Sequence, residues 1–349
     1  MARSVVTGAG TWYKDFMRNG TKAVLAGAAV AAAGIALDGL LIERVRVGLD
    51  RYDLAAHSPG LPPEGLTILH LSDLHCRPGG AVQDLKLAQL KRLLAGENYD
   101  LAVLTGDLIN TADGLPAMLA FVEHLRPRLG AFAIPGNRDY WESSLSAIFR
   151  EPAAEAGRGQ WRSPGAAVRR LREFGRTVAL NRHTHLQVRS NHALAMLEAL
   201  EARGVQPLVN RAVRLRGDGY DLWIAGVDDA THGKPDLPAA LAGVPEGPFL
   251  LLLAHNPDIW LERLAGRADL VLAGHTHGGQ IRLPFVGAIY MGASHLSRRR
   301  PAGWFSRRGG ATRMFVSRGV GESLPFRLAA RPQAAIIRLV PVHAEERIT

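Results

Sequence analysis

The sequence predicts an α/β domain, and three observations favour this class. Short apolar segments recur along the chain, and each ends abruptly in glycine or polar residues. Stretches with apolar residues at helical spacing separate the first of these segments. Of the 349 residues, 47% are hydrophobic and 21% are charged, which is ordinary for a globular chain. This composition excludes a disordered, collagen-like or coiled-coil protein.

An apolar run near the N-terminus is the first element. Residues 23–37 contain no polar side chain, and the run reaches 20 residues when 38–42 are added, about the length that crosses a bilayer. It is the only long apolar run, which excludes a polytopic membrane protein. The charged residues that precede it are Arg3, Lys14, Asp15, Arg18 and Lys22.

The basic excess before this run predicts a cytoplasmic N-terminus and places everything after residue 42 on the outer side of the membrane. The sequence favours an uncleaved membrane anchor. A cleaved signal peptide and a peripheral or buried helix are the alternatives.

The remaining elements follow in chain order. Residues 43–65 contain an alternating segment, 43–54, that predicts a strand, and a proline-containing linker, 57–65. The main domain is predicted over 66–340, followed by a tail, 341–349. Its buried strands are predicted at 66–71, 101–104, 131–134, 222–227, 249–253 and 270–273. Helices are predicted at 85–94 and 115–125.

An insertion, 142–191, interrupts the main domain and is predicted to form a partly helical cap. Between Arg150 and Arg189 it holds nine arginines against three glutamates. These arginines could bind acidic lipid or a substrate diphosphate, with a solvated helical face as the alternative. A second basic cluster could bind anionic headgroups and consists of Arg298, Arg299, Arg300, Arg307 and Arg308.

Charge and cysteine content limit the partners and the chemistry. Lysine and arginine total 42 against 32 acidic residues, a formal net charge of +10, which favours anionic partners. Cys76 is the only cysteine, so an intramolecular disulfide and a cysteine-based zinc site are excluded.

The polar ends of the predicted strands carry seven side chains with nitrogen or oxygen donors. Carboxyl ends of strands form the ligand sites of open α/β sheets. The donors are Asp73, His75, Asp107, Asn137, His255, His275 and His277. This mixed set suits Mn, Fe or Zn. Seven ligands exceed what one ion needs but fit two ions that share a bridging carboxylate, an arrangement that serves in-line phosphoryl displacement.

The blocks that hold these residues resemble the calcineurin-like metallophosphoesterase family. They are Asp73-Leu74-His75, Gly106-Asp107, Gly136-Asn137-Arg138-Asp139, Ala254-His255 and Gly274-His275-Thr276-His277. The segments 278–284, 317–321 and 324–327 are similar to its membrane-anchored bacterial branch. The resemblance covers residues 66–339 apart from the insertion. It implies a four-layer α/β/β/α sandwich with a dinuclear metal site between two sheets.

The resemblance also implies a role for each site residue. One metal ion, most simply Mn²⁺, takes Asp73, His75, Asp107 and His277. The other takes Asp107, Asn137, His255 and His275, so Asp107 bridges the two. The catalytic residues implied are Asn137, Arg138, Asp139 and His255, of which Asp139 orients its neighbours.

Arg138 departs from the family pattern, which has histidine at this position. That histidine is a candidate proton donor to the leaving group, whereas arginine stays charged at any working pH. Arginine can still neutralise phosphoryl oxygens. Because a phosphate leaving group needs little protonation, Arg138 favours cleavage of a diphosphate. The same Gly-Asn-Arg-Asp block is similar to that of the UDP-2,3-diacylglucosamine pyrophosphatases of lipid A synthesis.

The predicted function is a metal-dependent phosphohydrolase that cleaves a phosphodiester or diphosphate bond with a bridging hydroxide. A candidate reaction is hydrolysis of UDP-2,3-diacylglucosamine to UMP and diacylglucosamine 1-phosphate. The alternatives are an envelope phosphodiesterase or phosphatase of other specificity and a non-catalytic metal-binding module. A nucleic-acid substrate is disfavoured, because aromatic residues make up only 6% of the chain.

The predicted location is a bacterial inner membrane with a single N-terminal anchor. The charge pattern before the anchor favours the periplasmic side, whereas a lipid A enzyme requires the cytoplasmic side. Both alternatives stay open from the sequence.

Overall fold

The computed structural model describes residues 9–150, 161–182, 184, 186–307 and 310–342. Its helices of more than one turn are α1 (Ala9–Leu37), α2 (Ala81–Leu94), α3 (Leu115–Val122), α4 (Asn137–Tyr140), α5 (Pro164–Ala179), α6 (Ala193–Glu201) and α7 (Leu237–Ala240). Several residues used in the predictions lie outside the described residues: Arg3, Glu151, Glu155, Arg158, Arg308 and the tail after 342.

The strands are β1 (Gly48–Ala56), β2 (Leu66–Leu71), β3 (Leu101–Thr105), β4 (Gly130–Ile134), β5 (Trp141–Ser143), β6 (Gln187–Ser190), β7 (Val205–Pro207), β8 (Arg211–Gly217), β9 (Tyr220–Gly226), β10 (Leu250–Leu253), β11 (Leu270–Ala273), β12 (Arg282–Leu283), β13 (Gly287–Ala288), β14 (Gly303–Ser306), β15 (Arg313–Val316) and β16 (Gln333–Pro341).

Two six-stranded sheets form the centre of the fold. The first has the order β1-β16-β2-β3-β4-β7, and the second has the order β14-β15-β11-β10-β9-β8. Strands β2, β3, β4 and β7 are parallel, as are β9, β10, β11 and β15. Each parallel set therefore gathers its carboxyl ends at one edge, which is where the predicted ligands follow the strands.

Three apolar layers hold the two sheets and the helices together. Between the sheets, buried residues of β2 and β3 such as Ile68 and Val103 pack with Leu251 and Leu272 of the other sheet. A second cluster joins the outer face of the first sheet to α2, α3 and α6. A third joins the outer face of the second sheet to α7 and the loops beside it. The predicted four-layer α/β/β/α sandwich is confirmed.

The strand predicted over 43–54 begins later than expected. Residues Glu43–Val45 form a 3₁₀ turn that continues the N-terminal helix, so β1 starts at Gly48. It then joins the first sheet beside β16, which the sequence analysis did not identify as a strand. Strand β16 is antiparallel to β2, so it starts at the edge where β2 ends and the predicted ligand loops lie. Since β1 is parallel to β16, β1 starts at the same edge.

The N-terminal apolar segment forms a helix that stands apart from the sandwich. The stretch Val24–Val45 has a mean hydropathy of 2.0, and only 6% of its apolar window is buried. An apolar helix of this length without a covering core is typical of a membrane span. The structure is thus consistent with a single N-terminal anchor whose end meets the catalytic edge of the first sheet.

The insertion is tied to the domain by an antiparallel pair, β5 and β6. Between them lie α5 and a 3₁₀ turn, so the cap is partly helical as predicted. The described arginines Arg169, Arg172 and Arg176 of α5 are exposed, whereas Phe174 and Val178 of the same helix face a cavity beside the predicted ligands. Three arginines of α5 are therefore exposed to solvent, whereas Arg170 is half-buried and pairs with Glu173.

The second basic cluster is engaged in the fold. Arg298 donates hydrogen bonds to the carbonyl oxygens of Val178 and Ala179 at the end of α5. Arg307 donates to those of Trp260 and Glu262. These two arginines therefore join separate segments of the domain.

The core between the sheets predicts that substitution of a buried leucine destabilises the fold far more than substitution of an exposed one. Leu251→Ala should lower the free energy of unfolding by about 2–5 kcal/mol, because Leu251 is fully buried between the sheets. Leu194→Ala, at a leucine that is 71% exposed, should change it by less than about 0.5 kcal/mol. Urea unfolding of the full chain in detergent, followed by circular dichroism, measures both. Equal effects would contradict the assigned core.

Candidate metal centre

The seven predicted ligands meet in the cleft at the carboxyl ends of the strands. Most of them follow a strand directly, on a loop whose backbone turns sharply. The ligands with positive φ angles, between 48° and 69°, are Asp73, His75, Asp107, His275 and His277. Non-glycine residues rarely adopt this left-handed conformation, and it concentrates at functional sites. The chain thus accepts backbone strain in order to point these side chains inward.

Glycine stands at several close approaches between these loops, and Gly106 and Gly274 are two of them. A Cβ on Gly106 would lie 2.8 Å from Nδ1 of His255 and 2.5 Å from the backbone nitrogen of Gly136. A Cβ on Gly274 would lie 2.4 Å from Oδ2 of Asp73. Such distances are too short for a side chain, so both glycines permit the loops to pack against the ligands.

One half of the site contains Asp73, His75, Asp107 and His277. One ligand atom from each of these buried side chains lies within 4.8 Å of the others. The Nε2 atoms of His75 and His277 are 3.0 Å apart. Nε2 of His75 lies 3.5 Å from Oδ2 of Asp107, and Nε2 of His277 lies 3.5 Å from Oδ1 of Asp73. This convergence matches one of the two predicted ligand sets.

The other half contains Asn137, His255 and His275, with Asp107 between the two halves. Oδ1 of Asn137 lies 2.9 Å from Nδ1 of His275 and 3.3 Å from Nε2 of His255. The same His255 nitrogen lies 3.3 Å from Oδ1 of Asp107. Asp107 thus directs one oxygen to each half, as a bridging ligand must.

Hydrogen bonds outside the cluster decide which imidazole nitrogens face inward as lone pairs. Nδ1–H of His255 donates to the carbonyl oxygen of Thr105 at 2.7 Å, and Nε2–H of His275 donates to that of Gly292 at 2.8 Å. The remaining ring nitrogens of His255 and His275, 3.2 Å apart, both point at the Asn137 oxygen. When both rings are neutral, these two nitrogens present lone pairs to the same point, where a cation would satisfy them.

The electrostatics of the cluster agree with a cation site. Burial lowers the pKa of His75 to about 3 and that of His275 to about 4, and it lowers the pKa of His277 well below its usual value. These rings are neutral and offer lone pairs. Burial also acts against a charge on His255, but Asp107 outweighs it and raises the pKa of His255 to about 10. Without a metal ion His255 therefore carries a second proton beside Asp107, and a bound cation would take the place of that proton.

Asp139 holds two of the ligand loops in register. Its Oδ1 accepts hydrogen bonds from the backbone N–H groups of Leu108 and Ile109, and its Oδ2 accepts one from Gly136. The carboxylate therefore ties the loop after Asp107 to the loop before Asn137. This contact pattern is that of a positioning residue, not of a group that faces a substrate.

Arg138 lies at the mouth of the cluster. Its backbone N–H donates to Oδ1 of Asp107 at 2.7 Å, and its side chain lines the cavity that opens from the ligands. Burial lowers the pKa of the Arg138 guanidinium, while Asp107 and Tyr290 oppose that shift. The guanidinium remains protonated at neutral pH and adds a positive charge next to the ligands.

The cavity has a volume of about 420 Å³ and is lined by both polar and apolar side chains. One wall comes from the insertion and the other from loops after His277. The apolar lining residues are Leu145, Phe174, Val178, Leu186, Ala230, Ile281, Ile289 and Leu324. A cavity that combines the predicted metal ligands with a group of apolar side chains suits an amphipathic ligand.

Several residues that complete the site belong to none of the predicted ligand blocks. Oγ of Ser323 lies 3.3 Å from Nε2 of His277. Arg327 is fully buried and donates hydrogen bonds to the carbonyl oxygens of Arg318 and Ala330, which hold the loop that carries Ser323. The match of 317–321 and 324–327 to the anchored branch was the available signal. Tyr290 and the apolar lining carried no motif.

Cys76, His183, His185 and His192 are not among the predicted ligands. Cys76 follows His75 but is fully buried, and burial raises the pKa of its thiol to about 12. His183 and His185 lie outside the described residues. His192 starts α6 with a positive φ of 54°.

Comparison with known proteins gives the family. Residues 66–279 match the family model of the calcineurin-like phosphoesterases. The chain belongs to the calcineurin-like phosphoesterase family. This phosphoesterase is accordingly a hydrolase that acts on phosphoester bonds. The family and the buried Asp/His cluster together indicate divalent metal binding.

Three relatives illustrate the range of this family. The phosphoesterase is 28% identical to the uncharacterized metallophosphoesterase YkuE of Bacillus subtilis over 79% of each chain. It is 31% identical to a Bos taurus transmembrane protein with metallophosphoesterase domain, over 66% of this chain but only 45% of that protein. It is 27% identical to the UDP-2,3-diacylglucosamine pyrophosphatase LpxG of Chlamydia trachomatis, over 78% of this chain and 83% of LpxG.

The Asp139 contacts predict an effect on metal affinity. In Asp139→Asn, the side-chain NH₂ group replaces one carboxylate oxygen, so at least one of the three backbone N–H groups loses its hydrogen-bond acceptor. We expect the two loops joined by Asp139 to shift as a result. We expect Mn²⁺ affinity to fall about 10–100-fold, as measured by isothermal titration calorimetry. Asp113→Asn, at an exposed carboxylate, is the matched control and should bind as the wild type does. Equal affinities in the two variants would exclude the positioning role.

Proposed function

We propose that this phosphoesterase is a two-metal hydrolase of a lipid-linked diphosphate or phosphodiester. The observation that carries the proposal is that the predicted ligands open into a partly apolar cavity, and that the segment which lines it continues to a contact with the end of the anchor helix. Leu324 lines the cavity, and three residues later the backbone N–H of Arg327 donates to the carbonyl oxygen of Gly39 at 3.1 Å. A substrate held in the bilayer would reach the site over a short distance.

Two ligand sets would hold the metal ions. Asp73, His75, Asp107 and His277 form one set, and Asp107, Asn137, His255 and His275 form the other. When bound, divalent ions such as Mn²⁺ lower the pKa of water at the site and withdraw charge from phosphoryl oxygens. Thr105 and Gly292 hold the imidazole rings of the second set in the tautomers that such ligands need.

Arg138 and Asn137 are the groups of the chain that would face the phosphoryl oxygens. Both line the cavity beside the ligands, and the Arg138 charge would stabilise the additional negative charge of the transition state. Arg138 cannot protonate a leaving group. A leaving phosphate such as UMP needs little protonation, so the site favours a diphosphate over an alkyl ester.

The apolar side chains of this cavity support an acyl-bearing substrate. Phe174 and Val178 of α5 and Leu324 surround the space beyond the metal ligands, where hydrocarbon would gain the free energy of burial. LpxG, a relative at 27% identity, is named for hydrolysis of a diacylated nucleotide sugar. We therefore propose UDP-2,3-diacylglucosamine as the first substrate to test and a bacterial inner membrane as the location.

The first test measures UMP release. Full-length protein with Mn²⁺ should release UMP from UDP-2,3-diacylglucosamine, and Asp107→Asn should reduce release to background because both ligand sets lose the shared carboxylate. Asp113→Asn should keep the wild-type rate. Release would also require the catalytic domain on the cytoplasmic side, where this substrate is made.

Two other outcomes would contradict parts of this proposal. Cleavage of an aryl phosphodiester without UMP release, again lost in Asp107→Asn, would exclude the substrate but keep the two-metal hydrolase, with an envelope phosphodiester as its target. Stoichiometric metal binding without turnover of either substrate would exclude the hydrolytic function and leave a binding module.

Arg138 predicts a change in leaving-group preference. Arg138→Gln should lower kcat/KM for the diphosphate about 10²–10³-fold, because one charged group that stabilises the transition state is lost. Arg138→His, which introduces a proton donor, should raise the rate on an alkyl phosphodiester relative to the diphosphate. Parallel kcat/KM measurements on both substrates test this. An unchanged ratio in Arg138→His would contradict the argument.

A further inference from the structure

The tip of the β12–β13 hairpin exposes large apolar side chains that no other part of the described domain covers. Phe285 is 97% exposed, and its neighbours Leu283 and Val286 are 40% and 58% exposed. Phe285 also has a positive φ of 62°. A tip with three exposed apolar side chains in succession around one proline is typical of a surface that another apolar phase covers.

This hairpin lies beside the end of the anchor helix. The chain segment 327–330 runs between the two. On one side it meets the anchor, since the backbone N–H groups of Ala329 and Ala330 donate to the Glu43 carboxylate at 2.9 and 2.6 Å. On the other side it meets the hairpin, since the N–H of Arg282 donates to the carbonyl oxygen of Leu328 at 2.9 Å. The tip is thus attached close to the point where the helix leaves the domain.

A polar cleft of about 540 Å³ opens between the anchor and the hairpin. Four arginines outnumber three acids among its charged lining residues, which are Asp38, Glu43, Arg46, Asp50, Arg282, Arg318 and Arg331.

The ion pairs inside this cleft leave two of its arginines without a partner. Asp50 accepts hydrogen bonds from Arg318 at 2.8 Å and from Arg331 at 2.9 Å. The Arg46 and Arg282 side chains make no hydrogen bond or ion pair to other described residues. Arginine binds phosphate oxygens in pairs of hydrogen bonds. The cleft therefore carries one net positive charge, and its two arginines outside the Asp50 ion pairs lie in it with the carboxylates of Asp38 and Glu43.

We propose that this face of the domain docks on the bilayer. The phosphate of an anionic phospholipid headgroup binds between Arg46 and Arg282, and the tip Leu283–Phe285–Val286 enters the acyl region. The anchor end continues this surface, because Leu40, Leu41 and Ile42 are 39%, 64% and 52% exposed. A basic rim around an apolar insertion is the general pattern of peripheral membrane binding.

The docked face would fix the orientation of the catalytic domain. A single helix allows the domain to rotate about its attachment, whereas a second contact holds it. Ile281 and Ile289, directly beside the hairpin, line the catalytic cavity. Docking would hold the cavity close to the lipid surface. The inference depends on the membrane anchor and not on the proposed phosphohydrolase activity.

The insertion of the tip can be measured with one fluorescent label. Phe285→Cys is modified with an environment-sensitive maleimide, and the full chain is placed in nanodiscs of phosphatidylcholine and phosphatidylglycerol. Cys76 is fully buried, so the wild type should take no label. We expect a several-fold rise and a blue shift of emission relative to a water-exposed probe, and quenching by spin-labelled lipid.

A matched site tests whether this signal is specific. Leu93→Cys lies at the carboxyl end of α2, which runs back from the catalytic edge toward the opposite edge of the sheet. Its label should keep water-like emission and should be quenched by aqueous iodide. Water-like emission at both positions would overturn the proposal.

The phosphate cleft is tested in the labelled Phe285→Cys background. Replacing phosphatidylcholine-only nanodiscs with the mixed ones should increase lipid quenching of the probe. Arg46→Gln with Arg282→Gln should abolish this increase, whereas Arg92→Gln with Arg126→Gln, two exposed arginines near the opposite edge, should preserve it. An equal increase in both double variants would overturn the headgroup site. Retained metal binding in every variant shows that the domain is folded.

Discussion

The rest of the structure depends on the convergence of lone pairs at the carboxyl ends of the strands. Carboxylate, amide and imidazole acceptors lie between 2.9 and 3.5 Å from one another around Asp107. Without a cation, such a cluster is electrostatically unfavourable. The left-handed backbone at five ligands, the two glycines at the close approaches and the Asp139 hydrogen bonds all serve to hold it. The sandwich supplies the rigid frame against which these loops are strained.

The C-terminal segment connects this cluster to the membrane anchor. Ser323 contacts His277, while its neighbour Glu322 forms ion pairs with Lys86 of α2 and with Arg44 at the end of the anchor. Fully buried Arg327 keeps the segment folded by hydrogen bonds to its carbonyl oxygens. The anchor is therefore part of the architecture around the site, because its last turn contacts the same loop that closes the ligand cluster.

The insertion affects the site mainly through the side chains with which it lines the cavity, and less through its arginines. Its arginines were predicted to bind an anionic group or to face solvent, and Arg169, Arg172 and Arg176 on α5 face solvent. It lines the cavity with apolar side chains, among them Leu145, Phe174 and Val178, and with polar ones such as Thr184 and Gln187. The apolar part of this lining lowers the local dielectric constant around the metal ligands, which strengthens the interaction of Arg138 and the ions with a bound phosphate.

The sequence was enough to predict the family, because strands that end in Asp, Asn or His at these positions match its motifs, and the family resemblance then implied the sandwich. The seven donors remain a prediction, and hydropathy predicted the N-terminal apolar helix. Only the tertiary structure decided that β1 and β16 complete the first sheet, since strand pairing depends on contacts distant in the chain. Likewise, only the tertiary structure placed Ser323 against His277, Phe174 in the cavity and the β12–β13 hairpin beside the anchor. Those neighbours come from loops whose path is set by packing and not by a repeating pattern.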